Sequence, residues 1–220
     1  MEQKQKQTKS KDRVRQHGEV FTAEREVKAM CDLVKDETER IDSRFLEPAC
    51  GDGNFLAEIL TRKLAVVKRK YGRSHLDYEK NALLAASSIY GVDILFDNVI
   101  ACRERMFALW DKAYKAVCKK DCNDQTCEAV KFILSRNIVC GNALTLKCVD
   151  ENANDTEEPI IFSEWAFVTE SQLQRSDYTF DELLAQNDDQ KQLSIQSKIS
   201  DEGTFKKKYV THYRRVQENG

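Results

Sequence analysis

Proline is almost absent from this chain: its 220 residues hold two, Pro48 and Pro159, and no Pro-Pro pair occurs. No apolar stretch approaches the roughly 20 residues that a membrane-spanning helix needs, so no membrane partner is expected. The first residues are Gln- and Lys-rich with no apolar core, which speaks against a secretory leader. Internal repeats are lacking as well. The eight cysteines contain no C-x-x-C knuckle. Cys118, Cys122 and Cys127, taken with Cys140 or Cys148, have the number of a zinc site but not its spacing, and all eight read as ordinary thiols of a cytoplasmic protein. No metal is expected.

Charge of one sign is not in excess either. The net charge of −2 gives no overall pull toward nucleic acid. Its distribution is uneven, however. Lys4, Lys6, Lys9, Lys11, Arg13 and Arg15 face only Glu2 and Asp12 at the start, and the segment from Asp150 to Gly203 is acidic. The end is basic and aromatic again, with Phe205, Lys206, Lys207, Lys208 and Tyr209, then His212, Tyr213, Arg214 and Arg215. Cations interleaved with aromatics suit phosphate contact and base stacking, which makes this tail a candidate DNA contact.

What is present is enough for one core: 41% of residues are apolar, against 33% charged. Residues 1–12 read as a disordered basic N-terminus, 13–168 as the folded domain and 169–220 as a polar C-terminal segment. Thr22 is expected to cap a helix with Val27, Met30, Cys31 and Val34 on its apolar face. Apolar spacing predicts further helices over 54–70, 78–87, 97–117 and 126–134. Short strands are expected at 44–47, 88–92, 137–140 and 157–162. Strands alternating with helices imply a doubly wound α/β domain, a parallel sheet of order 3-2-1-4 that stops after strand four. Helical or irregular chain would then close the fold.

The most specific stretch is Phe45-Leu46-Glu47-Pro48-Ala49-Cys50-Gly51-Asp52-Gly53-Asn54-Phe55-Leu56, a strand, a glycine turn and a helix start. Such a turn lies where α/β domains bind ligands, outside the carboxyl ends of the strands. A dinucleotide site needs G-x-G-x-x-G to cradle a pyrophosphate. Here the third glycine is missing and Glu47 heads the turn, which suits a cationic amino-acid group better. Three other segments fall in compatible places: Arg15 to Thr22, Ile89-Tyr90-Gly91-Val92-Asp93-Ile94, and Asn137 to Leu144 with Gly141-Asn142-Ala143.

In the order, spacing and composition of these segments, from about Arg13 to Leu146, the chain resembles the adenine-N6 DNA methyltransferases of bacterial restriction–modification systems, in their gamma arrangement. The resemblance implies a Rossmann-like methyltransferase domain with S-adenosylmethionine as cofactor. His17, Phe21 and Thr22 would fold over its methionine end. Glu47, Pro48, Ala49, Cys50, Gly51, Gly53, Asn54 and Phe55 would form the cradle. Asp93 would accept the ribose hydroxyls, charge-assisted bonds worth roughly 1.5–3 kcal/mol each, and Ile94 would lie against the adenine. Asn142, with Ala143 beside it, stands where the family usually has Asp, and would accept from the adenine amino group through its amide oxygen.

The family's transfer loop, Asn/Asp/Ser-Pro-Pro-aromatic, has no counterpart in a chain without Pro-Pro. Laid over it, Ser163-Glu164-Trp165-Ala166-Phe167 puts Glu164 at the polar acceptor position and Phe167 at the position that stacks on a flipped base. A target-recognition region is also missing. The expectation is a SAM-dependent DNA methyltransferase-like protein, with a partner subunit supplying target recognition. The alternative is a non-catalytic SAM-binding regulatory or assembly subunit.

Overall fold

A computed structural model describes residues 22–185 and 208–219. The proposed N-terminal segment, and Lys206 and Lys207 of the tail, lie outside them. In chain order come α1 (Glu24–Leu33), α2 (Lys35–Thr38), β1 (Phe45–Glu47), α3 (Asn54–Tyr71), α4 (His75–Ser87), β2 (Ile89–Asp93), α5 (Phe96–Cys118) and α6 (Asp124–Asn137). Then follow β3 (Ile138–Cys140), β4 (Lys147–Val149), β5 (Asp155–Pro159), β6 (Ile161–Phe167), β7 (Gln172–Thr179), β8 (Lys208–His212) and a 3-10 segment, Tyr213–Asn219.

β1, β2 and β3 form a parallel sheet in that order, with Leu46 opposite Tyr90 and Val92 opposite Val139. The molecule is therefore mixed α/β. The expected fourth parallel strand is not among the described residues of this sheet. Its segment divides at Ile160: β5 pairs antiparallel with β4, and β6 pairs antiparallel with β7. Among the described residues, helical chain does help to close the fold: the helical residues 180–185 set Phe180 against the sheet, and Tyr213 and Val216 of the 3-10 segment enter the main core. Beside the two-stranded β4–β5 sheet, β6, β7 and β8 make a three-stranded antiparallel sheet, and the expected boundary at 168/169 falls in the turn between β6 and β7.

The helices form for the reasons their spacing gives. In α3, Leu56, Ile59, Leu60, Lys63, Leu64 and Val67 recur on one buried face. Ser74 accepts from the Asp77 N–H to start α4, and Asn123 accepts from the Gln125 N–H to start α6. Thr22 does not cap α1. Ala23 holds the cap position with no side-chain bond, and Met30 and Val34 are more exposed than the expected apolar face allows.

Alternation along β2 divides the core. Ile89 joins the cluster built by α1 and α3 to α6, whereas Tyr90 and Val92 pack with Ile160, Phe162 and Phe180. The second face of the parallel sheet is thus covered by the antiparallel segment and the helical residues 180–185 that follow it, where a doubly wound domain has longer crossover helices. Tyr90 also donates from its hydroxyl to the Ser163 carbonyl at 3.1 Å, and its ring meets Phe162 edge-on.

Candidate ligand site

The carboxyl ends of the three parallel strands open on a cavity of about 900 Å³, within the range of small-molecule sites. It is lined by 12 of the residues expected from sequence: Thr22, Glu47, Pro48, Ala49, Cys50, Gly51, Asn54, Phe55, Asp93, Ile94, Asn142 and Ala143. His17 and Phe21 lie outside the described residues.

The turn after β1 is held by Asp93. One carboxylate oxygen accepts from the Gly51 N–H at 2.9 Å; the other accepts from the Leu95 N–H at 2.9 Å and the Asn98 amide at 3.2 Å. The oxygen that meets Gly51 retains capacity for a further donor, whereas the other already accepts two. Gly51 adopts φ 52°, a left-handed value that favours glycine. Gly53, at φ 88°, does not line the cavity. A Cβ there would sit 2.6 Å from the Cys102 sulfur, so its glycine is required by packing beneath the turn and not by a ligand. The Cys50 thiol is held well above its ordinary range, first by its hydrogen bond with Cys102 and then by burial, so it is a neutral packing group.

Glu47 is half-buried at the end of β1. Burial raises its carboxyl above the ordinary value, offset in part by the Ala49 N–H, and no cation of the described residues acts on it. Asp52 differs: Arg105, reaching from α5, donates to its Oδ2 at 2.7 Å and also to the Asn54 side chain. Its other oxygen is buried with no hydrogen-bond partner. Asn142 donates to Asp155 at 3.0 Å and accepts from the Leu144 N–H at 3.0 Å, which fixes its amide at the mouth of β3.

Glu164 and Phe167 do not belong to this site. They lie inside β6, in register with Ser176 and Leu173, and neither lines the cavity. Glu164 forms an ion pair with Arg44, and the Phe167 ring packs edge-on against Tyr213. Trp165 is buried, donating to the Asn137 side chain at 3.0 Å. Paired strand geometry, not a loop, therefore governs this segment. The tail is likewise structural where described: Tyr213 is buried, Arg214 meets Glu79 at 2.7 Å, and Tyr209 stacks under Arg175.

Sequence reasoning passed over Met30, Leu46, Asp52, Asn98, Leu144, Phe180 and Leu184, which also line the cavity. Asp52 sat inside the quoted turn, and Asn98 lies five residues past Asp93. Phe180 and Leu184 had no local signal, since only tertiary folding brings residues 180–185 over the strand ends. Among the described residues, no group of three or more His, Cys, Asp or Glu is arranged to hold a metal, and none of the helices is long and apolar enough to cross a membrane. No family model, curated protein or solved structure matches the chain.

Proposed function

We propose that the cavity binds S-adenosylmethionine and that the chain is a DNA adenine-methyltransferase-like protein. Its target base is held by a partner polypeptide. The carrying observation is Glu47, a half-buried carboxylate raised by burial and left without a cation at the head of a largely apolar cavity. An α-ammonium beside a sulfonium would return such a group to its charged form. Asp93 and Asn142 stand at the ends of β2 and β3 with acceptor capacity left for ribose hydroxyls and an adenine amino group. The cofactor, when bound, supplies an electrophilic methyl. The chain's own residues orient it and keep water from its apolar parts.

A second reading, a SAM-binding subunit that never catalyses, is favoured by one observation. Glu164 and Phe167 are committed to Arg44 and Tyr213, away from the cavity. Calorimetry with S-adenosylmethionine tests what both readings share. Glu47→Gln should weaken binding about tenfold or more, the loss of one charge-assisted contact, without changing thermal stability. Asp93→Ala should also abolish binding, but it removes the acceptor for three donors and so lowers stability by about 1–3 kcal/mol. Unchanged affinity in Glu47→Gln would sink the placement of the cationic end. Transfer of labelled methyl to unmethylated DNA, by the chain alone and with proteins from its own locus, then separates the two readings.

A further inference from the structure

A second concavity, of about 620 Å³, is lined by Lys68, Arg69, Lys70, Arg73, His75 and Lys119. The first four come from the end of α3 and the turn after it, and Lys119 from the end of α5. All six are exposed. Among the described residues none of the five Lys and Arg side chains has an ion-pair partner; only His75 does, with Asp121 at 2.6 Å. Both helices begin at the candidate ligand cavity and run 18 and 23 residues before ending here. At a rise of about 1.5 Å per residue, the two concavities are separated by helix lengths of about 25 Å or more.

Basic residues in a last helical turn offset the helix dipole, which accounts for Lys68 to Lys70. It does not require Arg73, two residues past α3, nor cations from two helices converging on one hollow. Lys119 also holds φ 51°, an uncommon value for a residue with a side chain.

We infer that this groove binds the phosphodiester backbone of a nucleic acid. Five unpaired cations in a hollow much larger than one phosphate suit a row of phosphates spaced along a strand. The lining holds no Tyr, Trp or Phe and is dominated by Lys and Arg, which suits sequence-independent contact with phosphates more than base stacking. Its apolar lining is Ala116 and Val117, and Val117 is buried, which gives a bilayer nothing to take up. The inference does not rest on S-adenosylmethionine binding, since the groove lies at the far ends of the helices. It would give the molecule a grip on DNA at a distance from the base being modified.

The test uses the full chain and a triple variant, Lys68→Gln, Arg73→Gln and Lys119→Gln, titrated against a short fluorescent DNA duplex at several salt concentrations. The expected result is at least about tenfold weaker binding, with the slope of log K against log salt reduced by about 2 to 3. Thermal midpoint and S-adenosylmethionine affinity should stay as in the parent chain, because the replaced side chains are exposed and lie away from the cavity. Equal affinity and slope in parent and variant would overturn the groove. So would release of the duplex by inorganic phosphate at constant ionic strength, which marks a single-phosphate site, or tighter binding to phosphatidylserine vesicles than to DNA. If the parent chain binds no S-adenosylmethionine yet loses DNA affinity in the variant, the groove stands and the cofactor reading falls.

Discussion

The parallel sheet and the three-stranded antiparallel sheet use their polar groups in opposite ways. Around the parallel sheet, Glu47 is half-buried without a cation and Asp93 and Asn142 keep acceptor capacity toward a cavity. In the antiparallel sheet and where the segment after it attaches, two polar clusters centred on Asp177 and Glu79 are supplied with partners by the chain itself. Asp177 accepts from Ser163 at 2.6 Å and from Arg175 at 2.8 and 2.7 Å, while Arg175 lies over Phe132 and Tyr209. Glu79 accepts from the hydroxyls of Tyr114 and Tyr213 and from Arg214. A polar residue with every partner supplied by its own chain holds the fold; one left incomplete beside a hollow is available to a ligand. By that measure the parallel sheet carries the site and the antiparallel sheet closes the core over it.

The largest effect that would sharpen this contrast is expected at Glu79. It is 2% exposed and is the point where the C-terminal segment attaches to α4 and α5. Glu79→Leu would leave Arg214 unpaired and two tyrosine hydroxyls without their acceptor, a loss of about 3–5 kcal/mol by urea unfolding. Ligand affinity at the cavity, measured where the variant is still folded, should change little. A loss below about 1 kcal/mol would mean that the antiparallel sheet is only loosely attached, and the contrast would break.

The same contrast explains what could be read in advance. The helices were legible because their apolar residues recur at helical spacing, and the turn from Glu47 to Phe55 because glycines and a carboxylate fall at a strand end. β7, Gln-Leu-Gln-Arg-Ser-Asp-Tyr-Thr, has no such pattern. Arg175 and Ser176 are buried there only because Asp177, Phe132 and Tyr209 receive Arg175, and β6 and β8 flank the strand. Polar burial that depends on distant partners leaves no trace in apolar periodicity. The segment 157–162 misled for a related reason. It is apolar enough for a central strand, yet it changes partners at Ile160, where the N–H donates to Leu146 and the carbonyl accepts from Phe180. Lys63 was legible in spacing but not in type, since it occupies a core position of α3.

Lys63 supplies the second test, of intermediate size. Its ammonium, wholly buried, donates to the carbonyls of Ile41 and Ser43 and to the Ser88 hydroxyl. Burial pushes the amine down from 10.5 to about 7, with Asp42 and Glu37 pulling it back up. Above pH 7 the unfolded chain keeps a proton there that the folded chain gives up, so stability rises with pH and falls again as pH drops toward 7. Cys31 and Cys118, pushed up by burial to about 11 and about 12, act in the opposite direction above their ordinary 9.0. The rise is therefore sought between pH 7 and 9. Lys63→Met should flatten it and cost about 1–3 kcal/mol at the upper end, where the acceptors are left unsatisfied. An unchanged pH profile in the variant would show that the amine stays charged throughout, held by its three acceptors.

The smallest effect is expected at the segment laid over the transfer loop. Glu164 pairs with Arg44, whose side chain is 54% exposed against 25% for Glu164, a contact on the rim of β6. Glu164→Gln should cost no more than about 1 kcal/mol, as exposed pairs do, and should leave S-adenosylmethionine affinity unaltered. If the proposed methyl transfer occurs, it should proceed at the parent rate, because this carboxylate is bound into a strand and does not line the cavity. Phe167→Ala, which removes a ring packed on Tyr213, should lower stability more than Glu164→Gln does and still leave transfer intact in the folded fraction. A folded Glu164→Gln variant that binds the cofactor normally but transfers no methyl would return the acceptor role to β6. The antiparallel sheet would then be more than a cover, and the division of labour between the two sheets would have to be abandoned.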